Sequence, residues 1–158
     1  MSPTQNSKPR IRVREATPAD VDAIVTINYD AFGVDIMNDL MYPHGVDEFA
    51  RSGFGARIFK APDDKGQAIV MVAELLPEGT TNGTDEENAS GEIVAFAKWL
   101  LYREPRTEQE WRTPLQKLET QETLGENCNV EVFNDFIGGM NRRRAEHSRG
   151  DPALCKNP

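Results

Sequence analysis

The sequence predicts an α+β fold, α/β in the broad sense, with a mixed, mostly antiparallel sheet of about three strands and flanking helices. Three observations carry this. Strand-like runs occur at 11–14, 68–73 and 93–97, the first alternating and the other two rich in β-branched residues. Apolar residues at helical spacing precede the second run and follow the third. The second and third runs are joined by a polar, glycine-rich stretch, as the arms of a hairpin are.

The first strand alternates Ile11 and Val13 with Arg10, Arg12 and Arg14, a half-buried pattern that puts the two apolar side chains inward. A helix follows at once. Thr17 suits an N-cap, Pro18 the first helical position, and Asp20 supplies a carboxylate three residues after the cap. Val21, Ile24, Val25, Ala31 and Phe32 then share one face, and Gly33 ends the helix. A short helix is expected over 35–40, broken at Tyr42-Pro43-His44-Gly45. A third helical piece over 46–58 is expected to be interrupted by Ser52-Gly53-Phe54-Gly55.

Residues 68–73 are apolar on both faces and read as a buried strand, and Gly91 to Leu101 contains the next one. Between them, 77–90 is expected to be a long mobile hairpin loop. Thr107 to Glu110 forms a capping box, with Pro114 keeping its helix short or kinked. Residues 119–129 read as an acidic surface segment. Val132, Phe133, Phe136, Ile137 and Met140 then form the stripe of a strong amphipathic helix. Gly138 and Gly139 would each cost that helix about 1 kcal/mol and so are expected to serve a close approach or a bend. The expected organisation is a disordered head (1–9), one folded region (10–150) and a patternless tail (151–158).

The chain has 158 residues, 38% apolar and 28% charged, enough for one core without disulfides or metal. Two cysteines, Cys128 and Cys155, and two histidines, His44 and His147, are too few for a structural zinc site, so no metal is expected. The net charge of −8 is concentrated in residues 61–131, which carry 6 basic and 15 acidic groups. Such a chain repels phosphate, and no nucleic-acid partner is expected. The basic cluster Arg142-Arg143-Arg144 sits where a helix should end and complements the helix dipole. No apolar run reaches the roughly 18 residues of a membrane span, and the polar N-terminus is no secretory signal. Cytoplasm, or nucleus, is the expected compartment, and no membrane partner is expected.

Motifs for chemistry are sparse. Arg51-Ser52-Gly53-Phe54-Gly55 has glycines that could let amides approach a phosphate, but such a loop should follow a strand and open a helix. No nucleophile stands beside a base in the sequence.

The order of elements says more. Arg12-Val13-Arg14-Glu15-Ala16-Thr17-Pro18-Ala19-Asp20-Val21-Asp22-Ala23-Ile24 is similar to the opening strand and first helix of the GNAT family, the acetyl-CoA-dependent N-acetyltransferases. Phe32 continues it, and Gly91-Glu92-Ile93-Val94-Ala95-Phe96-Ala97-Lys98-Trp99 resembles the family's third strand. The helices that follow resemble the fungal branch. The resemblance covers roughly residues 10–150. It implies an incomplete GNAT-like fold and transfer of an acetyl group from acetyl-CoA to an amine of a small molecule or protein. In the family, a backbone amide of the fourth strand meets the oxyanion, and a Gln/Arg-x-x-Gly-x-Gly/Ala turn cradles the pyrophosphate at a helix N-terminus.

Neither that strand nor that turn is found in the sequence, so the acetyl-CoA site is expected to be absent and the chain inactive as it stands. No catalytic residue is assigned. On the acceptor side the candidates are Phe32, Tyr42 and Trp99 as lining, for each of which core packing is the other reading, and Asp30 and Asp35 as carboxylates attracting a cationic amine. The alternative is a non-catalytic remnant or protein-interaction module. The unpaired edge of the third strand is then expected to take a second copy or a strand-pairing partner.

Overall fold

The computed structural model of the chain describes residues 9–33, 35–61, 64–77, 90–116, 118–148 and 153–156. The head to residue 8 and most of the 77–90 loop lie outside them. Its fold is α+β. Strand β1 (Ile11–Glu15) runs through a 3-10 turn (Pro18–Asp20) into helix α1 (Val21–Phe32), followed by α2 (Ile36–Met41) and α3 (Glu48–Arg57). The long strands β2 (Gly66–Leu75) and β3 (Glu92–Tyr102) come next, then α4 (Glu108–Gln116), α5 (Gln121–Leu124), α6 (Val130–Ser148) and β4 (Ala153–Lys156).

The sheet is antiparallel throughout, in the order β1-β2-β3-β4. The three strands anticipated from the sequence form its body. The fourth comes from the stretch read as a patternless tail. Its residues Ala153 to Lys156 pair with Tyr102 to Trp99, so the edge of β3 expected to be open is covered over its last four residues. Four residues are too few for a period to show in the sequence.

Register assigns each face. Val70 and Val72 of β2, with Ile93 and Phe96 of β3, face α1 and α3 and form the main core with Ala16, Ile24 and Ile58. A bulge after Ala73 keeps Ile93 on this side. The expected orientation of β1 is reversed. Ile11 and Val13 are 58% and 65% exposed, and Arg12 and Arg14 turn toward the helices. The cause lies on β2, where buried Glu74 stands in register with Arg12 and gathers both arginines. By the same register, Met71, Ala73 and Leu75 of β2 and Ala95 and Ala97 of β3 share the outer face with Ile11 and Val13. None of these belongs to either apolar cluster of the fold. Residues 68–73 are thus buried on one face rather than two.

The second cluster joins the helices. Tyr42, Ala50, Leu124 and Cys128 are buried there, with Met41, Val46, Val130 and Phe133 packed around them. The segment 119–129 is therefore more than an acidic surface, since it places Leu124 and Cys128 in a core. Gly125 turns the chain at φ 88°, and the Asn129 N–H donates to Met41 O at 2.7 Å, tying α6 to the end of α2. Tyr29, Phe54 and Phe96 stack edge to face, linking α1, α3 and β3.

The glycines of α3 and α6 differ from expectation in different ways. The Ser52-Gly53-Phe54-Gly55 stretch does not interrupt α3, because Gly55 is where α3 meets α1. A Cβ there would lie 2.9 Å from Val21 Cγ1 and 3.3 Å from Val25 Cγ2. Gly138 meets only the end of the Arg142 side chain, at 3.4 Å, so no close approach requires it. Ala31 and Phe32, expected on the buried face of α1, are exposed in its last turn. No helix among the described residues is long and apolar enough to cross a membrane.

Candidate functional site

The acceptor-side candidates divide among three places. Asp30, Phe32 and Asp35 lie together where α1 passes into α2, the Asp35 N–H donating to Phe32 O at 3.0 Å. Asp30 is exposed and Phe32 is 47% exposed. The Asp35 carboxylate is engaged as the N-cap of α2, accepting from Met37 N–H at 2.8 Å. Tyr42 is buried in the second cluster, beside Tyr29 and Cys128, and burial pushes its hydroxyl far above the ordinary tyrosine value. Burial likewise pushes the Cys128 thiol up, which suits a core thiol rather than a nucleophile. Trp99 stands in register with Ile69, on the sheet face turned away from α1. Tyr42 and Trp99 thus line no common pocket with the α1–α2 turn.

The strongest polar constellation was not anticipated. Glu74 accepts from Arg12 Nε at 2.7 Å, Arg14 Nε at 2.9 Å and Arg14 Nη2 at 2.7 Å. Arg14 also forks onto Asp20, both contacts at 2.8 Å. Asp20 Oδ2 in turn accepts from the Thr17 N–H at 2.7 Å and the Thr17 hydroxyl at 3.0 Å. The Arg14 bonds, assisted by those from Thr17, hold Asp20 well below the usual carboxylate range against the cost of burial. Burial alone would raise Glu74, but Arg14 and Arg12 outweigh it and leave it lowered. The network fastens β1, β2 and the start of α1. Its one sequence signal is a glutamate closing an apolar strand.

Lys98 is a second unforeseen group. From the middle of β3 its Nζ donates to Arg57 O at 3.0 Å and Lys60 O at 2.7 Å, closing the end of α3. Burial, with the nearby Arg57 charge, lowers its pKa. A third is a cavity of about 440 Å³ lined by Arg106, Glu108, Trp111, Arg112 and Glu146. The Arg106 guanidinium carbon stands over the Tyr102 ring, 3.6 Å from its centre, and Arg112 pairs with Glu108 at 2.9 Å. Two arginines and two glutamates leave it charge-balanced, so it is not built for a polyanion.

Whether these residues suit acetyl-CoA turns on the helix N-termini, since a pyrophosphate needs free amides there. Asp35 caps α2, and Asp47 caps α3 by accepting from Ala50 N–H at 2.8 Å. Glu110 folds back on Thr107 N–H at 2.7 Å at the start of α4, and Asn129 accepts from Val132 N–H at 3.3 Å at the start of α6. Asp20 sits at the start of α1. Carboxylates at four of these termini would repel a pyrophosphate. The glycines of the Arg51 to Gly55 stretch lie inside α3. The described residues therefore do not fit the cofactor. They show no group of three metal-ligating side chains either. Comparison of the chain with protein-family models, with curated proteins and with solved structures finds no match in any of the three.

Proposed function

We propose that these residues are the acceptor-side part of a GNAT-like N-acyltransferase that transfers an acetyl group to an amine, and that by themselves they do not bind acetyl-CoA. One observation supports the reading above the rest. After β1, α1 and two further helices come the antiparallel strands β2 and β3, and after three more helices β4 lies against β3, where the family's fourth strand belongs. On this reading the α1–α2 turn faces the acceptor, Asp30 and Phe32 giving an amine a charge and an apolar surface. A cytoplasmic or nuclear setting is part of the proposal.

A second reading, a non-catalytic interaction module, is favoured by the filled helix N-termini and by the exposed apolar side of β1. The intact mass of the protein made by its own cells separates the two. A mass several kDa above 17.7 kDa, with amine-dependent release of free CoA thiol from acetyl-CoA, supports the transferase. A native mass of 17.7 kDa with no turnover overturns it in favour of the module.

A further inference from the structure

Among the described residues, the apolar side chains on the outer face of the sheet belong to neither apolar cluster of the fold. Ile11 and Val13 stand 58% and 65% exposed at the start and middle of β1, and Val94 is 41% exposed at the bulge of β3. Register continues the same face through Met71 and Leu75 to Trp99. On β1, β2 and β3 the charged residues of this face, Glu15 and Glu92, fall at strand ends, so the centre of these three strands is uncharged.

We infer that this face binds a second copy of the chain, sheet against sheet, about a twofold axis. Three strands about 4.8 Å apart and about nine residues long give roughly 400 Å² in plan. Two such faces, with side-chain relief, remove on the order of 1,000 Å² from water, where specific interfaces begin. A charged partner would find nothing at the centre to recognise. A second copy brings an equally apolar surface and buries no charge. Sheets packed this way lie about 10 Å apart with strands near −30°, and a self-complementary face closes as a dimer rather than a filament. This surface differs from the edge of β3, so backbone pairing at the edge is not what holds the copies.

The test is light scattering coupled to size exclusion on the whole chain, at about 10 and 100 μM, the range in which a micromolar dimer declares itself. The expected mass is about 35 kDa, twice the 17.7 kDa chain, and 1 M salt leaves it unchanged. Val13→Glu, at a position too exposed to be needed for folding, should weaken association at least about 100-fold while circular dichroism stays unchanged. Ile11→Lys should do the same. A monomer at both concentrations overturns the proposal, as does a polydisperse aggregate or a dimer that survives both substitutions.

Discussion

Glu74→Ala removes the acceptor on which β1 is hung. The carboxylate side chain is 4% exposed and takes N–H bonds from both Arg12 and Arg14. Truncating one member of a buried charged pair costs about 3–5 kcal/mol, mostly because the other charge is left without a partner. Here the arginine side chains are 21% and 32% exposed, and Arg14 keeps Asp20, so water and that pair recover part of the loss. About 3 kcal/mol is expected, at the low end.

Urea unfolding at pH 7 should show this loss, and a thermal melt should fall by about 6–12 °C for a chain of this length. Acid provides an independent check. Asp20 and Glu74 both have folded pKa values below their unfolded ones. Their contribution is fully present above the unfolded value, near about 4, and is lost as pH falls through the folded values. The wild-type chain should thus lose stability steeply below about pH 4, and Glu74→Ala less steeply, since only Asp20 remains to be protonated. A loss under about 1 kcal/mol, with the acid limb unchanged, would refute the network as the fastening of β1.

Other substitutions test the packing. Gly55→Ala should destabilise by about 1–3 kcal/mol in urea titration, because its methyl meets Val21 at 2.9 Å and pushes α1 off α3. Gly138→Ala, with only a flexible Arg142 end nearby, should stabilise by about 0.5–1 kcal/mol in the same assay. Lys98→Met should cost about 1–2 kcal/mol, since the carbonyls of Arg57 and Lys60 lose their donor. A neutral result there would mean that water closes the end of α3 equally well.

What could be read from the sequence was local. The capping box at Thr17 and Asp20, the breaker at Tyr42-Pro43-His44-Gly45 and the two long strands need only neighbours in the chain, and each formed where expected. The facing of β1 is not legible locally, because alternation gives two faces without saying which is inward. Glu74, 60 positions from Arg14, decides it. The role of Gly55 is hidden for the same kind of reason, since it depends on Val21 in another helix. Cys128 and Leu124 lie in a stretch whose acidic composition hid the two residues that turn inward. Of the acceptor candidates, Asp30, Phe32 and Asp35 are neighbours because they are adjacent in sequence, whereas nothing local could show that Tyr42 and Trp99 part company across the sheet.

The most direct test of the account is a calorimetric titration of the 158-residue chain with acetyl-CoA at low salt. Helix N-termini already filled by Asp35, Asp47 and Glu110 predict no saturable heat up to about 1 mM ligand, weaker than about −4 kcal/mol of binding. One-to-one binding in the micromolar range, lost when the pyrophosphate is removed from the ligand, would contradict it.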